Sequence, residues 1–356
     1  MKGAAQALAA AALFGMGAPV AKLLLPSTGP LMLAALLYLG AGTALLVLRT
    51  IGRLVPAIRF QNAGTERDAR EAPIRRSDAA ALTGVIVAGG MLGPWLMLIG
   101  LRHLSASVAS LLLNLEAPLT MILAVMLFRE HLARAALFGA LLIITGAVIL
   151  AYRPGGVEGD WLGYAAIAAA CTSWAIDNNL SQRLSLRDPA TIVQIKGLAA
   201  GACMLLIASA SGQPFPAAWA AIAGLLLGTL SYGMSLVLAM RALRLLGSAR
   251  EAAYFATAPF IGAALSIPLL RERLDVQQGI AALAMAAGVA FLVAERHAHL
   301  HTHEELEHEH AHTHDEHHRH AHDGPYVEPH SHPHRHPVLT HDHPHVSDIH
   351  HRHRHR

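Results

Sequence analysis

Two stretches of the chain, NLEAPLTMILAVMLFREHL at 114–132 and FATAPFIGAALSIPLLRERL at 255–274, resemble each other along their whole length. They lie about 142 residues apart, and each is followed by an apolar segment with a glycine at the aligned position, Gly146 or Gly288. An alignment of this kind, extended over neighbouring segments, is typical of an internal duplication. The sequence therefore predicts a chain built from two copies of one unit.

The composition indicates that lipid surrounds most of the chain. It is 54% hydrophobic and only 14% charged, which is too apolar for a water-exposed surface. A helix needs roughly 20 apolar residues to cross about 30 Å of hydrocarbon, and ten stretches reach that length. They lie near 3–25, 29–50, 79–101, 105–128, 133–152, 161–180, 189–210, 215–240, 251–270 and 277–295. Since the alternation of barrel strands is absent, the predicted fold is an all-α membrane protein with ten transmembrane helices.

The duplication divides these spans into residues 1–152 and 153–295, with five spans in each copy. A further match, of AGTALLVL at 41–48 with AGACMLLI at 200–207, supports the division. Because five is odd, the second copy must enter the membrane in the opposite orientation, which predicts two inverted five-helix repeats. Such halves can open alternately to the two sides of the membrane around a site near its midplane. This architecture favours a transporter and not an enzyme.

Arginine and lysine residues indicate the orientation. One side collects Lys2, Arg53, Arg59, Arg67, Arg70, Arg75, Arg76, Arg129, Arg134, Arg183, Arg187, Arg241, Arg244 and Arg250. The positive-inside rule then predicts an inner-membrane protein with both termini in the cytoplasm. The basic loop 51–78 is interpreted as a topology determinant lying against anionic lipid, and its lack of interleaved aromatic residues argues against nucleic acid as a partner. Lys22, at the end of the first span, is interpreted as an interfacial anchor.

Residues 1–295 resemble the drug/metabolite transporter superfamily, and specifically its EamA type. The resemblance is carried by LEAPLTMILAVMLFREHL, TAPFIGAALSIPLLRERL and the span starts ALFGMGAPVAKLL and CTSWAIDNNLSQRL. It implies ten spans in two five-helix repeats and secondary transport, commonly export, of metabolites, amino acids or other small organic molecules. It identifies no substrate and does not cover the chain beyond residue 296.

The fourth span contains polar residues that lipid disfavours, namely Asn114 and Glu116, followed by Pro118. A charged carboxylate at the middle of a span costs about 2.5 to 3.5 kcal/mol on insertion scales, so Glu116 is expected to face protein or water. Thr257 and Pro259 are the counterparts in the ninth span, and interruptions at corresponding positions of two repeats are the best sequence indication of a binding site. Protonation of Glu116 coupled to solute movement is one interpretation, and a packing kink with a bonded carboxyl is the other.

Further candidate residues lie in the sixth and seventh spans. Asp177, Asn178 and Asn179 form a polar run that is interpreted either as a frayed, hydrated helix end or, for Asp177 and Asn178, as solute contacts. Lys196 is interpreted either as snorkelling to the interface or as paired with Glu116 or Asp177. Three glycines of the third span before Pro94 predict a close helix approach. They are Gly89, Gly90 and Gly93.

The tail, residues 296–356, holds 23 of the 25 histidines and no apolar segment from which to build a core, so it is predicted to be disordered. Neutral imidazole suits zinc, nickel and cobalt, and H-x-H spacing lets several rings reach one ion. The predicted ligands are His301, His303, His308, His310, His312, His314, His317, His318, His320 and His322. Metal buffering or sensing, metal delivery, proton sensing and the absence of any role all remain open for this tail.

Three functions follow from these patterns. The first is secondary transport of a small organic solute with a metal-responsive tail and no required cofactor, driven by a gradient since no nucleotide-binding P-loop occurs. The second is export of divalent nickel, cobalt or zinc. The third is a membrane-anchored metal buffer, which the duplication argues against because one span suffices as an anchor.

Overall fold

A computed structural model describes residues 2–54, 74–128, 134–153, 156–157, 161–181, 184, 187–246 and 248–294, together with four segments of the tail. Most of the predicted basic loop, residues 55–73, lies outside the described residues. Within the described part, all the long elements are helices, and the prediction of an all-α membrane protein is confirmed.

The first repeat contains eight helical segments. They are α1 (Lys2–Gly15), α2 (Gly17–Leu24), α3 (Pro30–Leu54), α4 (Ala79–Val85), α5 (Gly93–His103), α6 (Ala106–Leu112), α7 (Glu116–Phe128) and α8 (Arg134–Ala151). A π-helix, Ile86–Leu92, joins α4 to α5, and a 3-10 turn, Leu113–Leu115, joins α6 to α7. A second 3-10 turn, Arg76–Asp78, precedes α4.

The second repeat follows a two-stranded ribbon made of β1 (Tyr152–Arg153) and β2 (Gly156–Val157). Its helices are α9 (Trp161–Ser181), α10 (Pro189–Ala210), α11 (Ala218–Gly228), α12 (Ser235–Leu246), α13 (Ser248–Phe255), α14 (Ala258–Leu270) and α15 (Val276–Ala294). A π-helix, Thr229–Met234, joins α11 to α12.

Nine helical stretches in the described part of the chain are long and apolar enough to cross a membrane. They are Gly3–Leu24, Pro30–Ile51, Arg76–His103, Ala106–Leu127, Arg134–Ala151, Ala190–Ala210, Ala218–Ala239, Arg250–Leu270 and Val276–Val293. The sixth predicted span is α9, which has 21 residues but carries a polar run near its end. Ten spans in two inverted five-helix repeats are therefore the architecture of the chain, and we number the spans from one to ten below.

The two repeats are interrupted at the same places. The third and eighth spans each contain a π-helix, Ile86–Leu92 and Thr229–Met234. The fourth span is broken by the 3-10 turn Leu113–Leu115, and the ninth span is broken between Phe255 and Ala258. Since π-helices are rare and often occur at functional sites, their recurrence at equivalent positions indicates a shared functional constraint.

The repeats exchange their first helices. In the first span, α1 packs against α12 and α14 of the second repeat, whereas in the sixth span α9 packs against α5 and α7 of the first repeat. The second and fifth spans pair with their own counterparts, α3 with α10 and α8 with α15. The middle of the bundle is consequently built from both repeats at once.

Polar bonds tie the repeats together at both ends of the bundle. At the end where the second and seventh spans meet the loop after α9, Arg187 Nε donates to Asp78 Oδ2 at 2.8 Å and Arg49 pairs with Asp188. At the opposite end, Glu272 accepts from the backbone N–H groups of Ala106 and Ser107, the first residues of α6, at 2.7 and 2.9 Å.

Lys22 shares that opposite end with Glu272. Its Nζ donates to the carbonyl of Leu104, 2.8 Å away, and to that of Leu101, at the end of α5. The interpretation of Lys22 as an interfacial anchor did not include these bonds to α5. A cation at the last carbonyls of α5 and a carboxylate at the first N–H groups of α6 both match the helix dipoles.

Four strands lie in the described part of the tail, where the composition predicts disorder. They are β3 (His297–His303), β4 (Leu306–His312), β5 (His330–His336) and β6 (Leu339–His345). β3 pairs antiparallel with β6, and β4 pairs antiparallel with β5. The H-x-H alternation has the period of two that a strand requires, which the composition argument did not consider.

Candidate functional site

Glu116 is the first residue of α7, immediately after the 3-10 turn that interrupts the fourth span. It lies halfway along that span, and its side chain is half-buried. Pro118 is the third residue of α7, where a missing N–H costs little because the first four N–H groups of a helix have no intrahelical acceptor. The sequence thus places a carboxyl group beside a helix start in the middle of the membrane.

The amide of Asn178, on α9, approaches this carboxyl group from the second repeat. Asn178 Nδ2 donates to Glu116 Oε1 at 2.8 Å and lies 3.4 Å from Thr120 Oγ1, one turn along α7. The next residue, Asn179, donates to the carbonyls of Thr120 and Ala175 at 3.1 and 2.8 Å. Two of the predicted site residues, Glu116 and Asn178, are therefore in direct contact across the repeats.

Asp177, on the same helix, is buried and forms an ion pair with Lys196 of α10. The interpretation of this run as a frayed, hydrated helix end was wrong for Asp177 and Asn179, which are both buried. The snorkelling interpretation of Lys196 was also wrong. The hydropathy pattern gives the position of these residues along the helix but does not show which face of the helix packs against a neighbour. Here the face that carries Asp177 packs against the other repeat.

Gly89, halfway along the third span and inside its π-helix, is in contact with three side chains. A Cβ atom at Gly89 would lie 2.0 Å from Asp177 Oδ2, so the carboxylate rests directly on the backbone. The carbonyl of Gly89 accepts from Tyr38 OH at 2.7 Å and from Trp174 Nε1 at 3.2 Å. The glycine run predicted the close approach, but Tyr38 and Trp174 were missed, since nothing in the sequence indicates a tertiary acceptor.

The equivalent positions of the second repeat have different chemistry. Thr257 occupies the place of Glu116, and its hydroxyl donates to the carbonyl of Tyr254 at 2.6 Å. Pro259 is the second residue of α14, at the same kind of helix start as Pro118. Around this break lies an aromatic row that comprises Phe255, Phe14, Tyr232 and Tyr38, with successive ring centroids 5.2, 5.7 and 5.5 Å apart.

Asn114 is buried and has a local partner. Its Nδ2 donates to the carbonyl of Leu111 at 2.8 Å and lies 4.0 Å from the sulfur of Met285. These bonds satisfy a backbone group that the interruption of the fourth span leaves free. Asn114 therefore stabilises the 3-10 turn and is not in contact with Glu116 or Asn178.

Among the described residues, no group of three histidine, cysteine, aspartate or glutamate side chains is arranged to hold a metal ion. Half of the predicted metal ligands lie outside the described residues, namely His314, His317, His318, His320 and His322. The backbones of the other half belong to β3 and β4. They are His301, His303, His308, His310 and His312.

Comparisons with known proteins agree with this architecture. A family model described as the EamA-like transporter family matches residues 1–152 and 161–294, one match for each repeat. An uncharacterized transporter of Methanothermobacter thermautotrophicus is 31% identical over 290 residues, covering 78% of this chain and 82% of that protein. A solved structure described as the crystal structure of a protein is 22% identical with a TM-score of 0.53, covering 79% of this chain and 95% of that chain, which is a likeness of fold. The chain belongs to the EamA-like transporter family.

Proposed function

We propose that this transporter is a gradient-driven secondary carrier that exports a small organic solute across the inner membrane by alternating access. The observation that carries the proposal is the pair of matched interruptions in the two repeats, which meet polar side chains in the middle of the bundle. Two inverted halves with equivalent breaks have two equivalent arrangements, in which each half takes the conformation of the other.

The solute site is proposed to lie around Glu116, Asn178, Asp177 and Lys196. Glu116 contacts Asn178, and Asp177 and Lys196 approach Gly89 and Gly90, across the two repeats, so relative motion of the repeats changes these contacts. A solute that binds them differently in the two arrangements shifts the population between them, which is what coupling of binding to movement requires. Thr257 and Pro259 are proposed to line the opposite side of the same site.

The test uses cells that express four forms of the protein and are grown on a panel of toxic amino-acid analogues, toxic amines and the metals nickel, cobalt and zinc. The forms are the full chain, a chain ending at residue 295, Glu116→Gln and the matched control Glu251→Gln. We expect resistance to an organic solute from the full chain, the shortened chain and the control, and loss of it in Glu116→Gln at equal membrane abundance. Full resistance in Glu116→Gln contradicts the site, and an absence of any organic-solute phenotype contradicts the function.

A second candidate, export of divalent nickel, cobalt or zinc, is favoured by one observation, the concentration of 23 of the 25 histidines in the tail.

We propose that the tail binds these metals and regulates the carrier. Equilibrium dialysis of the full and shortened chains against zinc and nickel measures this binding. Metal resistance that disappears with the tail, together with no organic-solute phenotype, decides for metal export.

A further inference from the structure

The two halves of the central site have opposite character. On the side of the fourth and sixth spans lie Glu116, Asn178 and Asn179, whereas the equivalent break in the ninth span is bordered by the aromatic row. Tyr38 joins the two sides, since its hydroxyl donates to the carbonyl of Gly89 and its ring lies 5.5 Å from that of Tyr232. Below, the group Glu116, Asn178 and Asn179 is called the polar wall, and the aromatic row is called the aromatic wall.

The polar wall contains two hydrogen-bond acceptor atoms that no donor of the described residues reaches. Asn179 uses its Nδ2 for two backbone carbonyls, which fixes the amide orientation and leaves the buried Oδ1 without a hydrogen-bond partner. Glu116 accepts at Oε1 from Asn178, and within the described residues no donor reaches Oε2. The buried Oδ1 of Asn179 is costly without a donor, and Oε2 of the half-buried Glu116 can still accept a hydrogen bond, so both atoms are suited to a ligand that brings N–H groups.

The charges around the polar wall also favour a ligand that carries N–H groups. Asp177 is neutralised by Lys196, with side-chain exposures of 9% and 16%. Glu116 has no ion-pair partner among the described residues, so the wall carries one uncompensated carboxylate. An anionic solute would face this charge while the nearest cation, Lys196, is already paired, whereas a cationic solute would compensate the charge.

The aromatic wall is open to contact. Phe14, Tyr232 and Phe255 are each half-buried and come from three different helical segments, so part of each ring remains available. Aromatic faces attract apolar groups and cations, and the contribution grows when water is excluded. This side is suited to the hydrocarbon or aromatic body of a solute.

We propose that the solute is an amphipathic amine, with its ammonium group bound by Glu116 and by the free Oδ1 of Asn179 and its apolar or aromatic body packed on the row Phe255, Phe14, Tyr232 and Tyr38. The proposal rests on the proposed function, since it assigns a chemical class to that same site. Both repeats contribute to both tasks, since Glu116 of the first and Asn179 of the second bind the ammonium group, and Phe14 of the first and Tyr232 of the second pack on the body.

The test is direct binding to the full, purified chain in detergent, measured by calorimetry. Three probes of nearly equal size differ in charge: 2-phenylethylamine, 2-phenylethanol and 3-phenylpropionate. We expect the amine to bind at least about tenfold more tightly than the other two, because only it forms charge-assisted hydrogen bonds with the carboxylate. Glu116→Gln should remove that preference, and Glu251→Gln, the same change in the ninth span, should keep it.

The aromatic wall is tested with Phe14→Leu and with methylamine, which has the charge but no ring. Phe14→Leu is expected to weaken 2-phenylethylamine several-fold and to leave the weaker binding of methylamine unchanged. Any of three results overturns the proposal. The three phenyl probes bind equally, 3-phenylpropionate binds more tightly than 2-phenylethylamine, or 2-phenylethylamine binds Glu116→Gln as tightly as it binds the unchanged protein. Since this experiment measures binding and not transport, such a result rules out the solute class only. The transport function is tested separately, by the growth phenotype.

Discussion

Asp177 and Lys196 form a buried ion pair between two membrane-spanning helices, and their energetics follow from that burial. Moving each charge out of water costs several kcal/mol, and the attraction between the two charges offsets this desolvation cost only while both are present. The pair is therefore expected to contribute little net stability as a pair but to be very sensitive to the loss of one partner. A pair near water, such as Arg49 with Asp188, lacks this sensitivity because solvent screens each charge.

We predict that Lys196→Met lowers the free energy of unfolding by about 3–5 kcal/mol, since it leaves Asp177 charged and unpaired on the backbone of Gly89. The double variant Lys196→Met, Asp177→Asn is expected to recover most of that loss. Unfolding of the purified chain in detergent, followed by circular dichroism, measures both. The control, Arg49→Met, should cost about 1 kcal/mol or less. If the single and double variants are equally unstable, the ion pair is not the reason.

At the scale of helices, the fifth and tenth spans pack through backbone contact. A Cβ atom on Gly139 would lie 2.7 Å from the carbonyl oxygen of Gly288, and one on Gly288 would lie 2.6 Å from the carbonyl oxygen of Gly139. Helices in lipid have no hydrophobic driving force between them and associate by close packing of small residues. Gly279, on the same helix as Gly288, has no atom within 4 Å of its Cβ position.

We predict that Gly288→Leu destabilises the folded bundle by about 3 kcal/mol or more, because the side chain must push α8 away from α15. Gly279→Leu adds the same side chain to the same helix in open space and should change stability by less than about 1 kcal/mol. Thermal unfolding in detergent and the fraction of protein that elutes as a single species compare the two. Equal behaviour of the two variants contradicts the importance of this crossing.

Much of the element pattern could be predicted from the sequence, because span length, the two matched segments and the prolines at 118 and 259 are local signals. The ten spans and the breaks in the fourth and ninth spans lie where these signals place them. The pairing of Lys196 with Asp177 was one of the two interpretations that the sequence offered, whereas the aromatic row and the partners of Gly89 could not be predicted. Such contacts depend on which helices pack together. Here the packing follows from the exchange of α1 and α9 between the repeats, which no local sequence signal indicates.

At the scale of the whole molecule, the exchange of first helices couples the repeats. Because α9 carries Asp177 and Asn178 against the first repeat, the polar wall is built from both repeats. The end contacts of Glu272 and Lys22 on the turn around Ala106 hold one side of the bundle together, and the Arg187–Asp78 and Arg49–Asp188 pairs hold the other. An alternating carrier needs contacts of this kind that break on one side at a time.

Opposite orientation of the repeats makes a strong prediction for equivalent loops. The segment after Phe128 and the segment after Leu270 follow the matched stretches of the two repeats, so they should emerge on opposite faces of the membrane. A short epitope inserted after each residue, probed with antibody in intact and permeabilised cells, measures this. By the positive-inside rule the epitope after Phe128 should be reached only after permeabilisation and the one after Leu270 in intact cells. An epitope at the N-terminus serves as the cytoplasmic control. Detection of both loop epitopes on the same face would contradict the inverted repeat and, with it, the exchange of conformations on which alternating access depends.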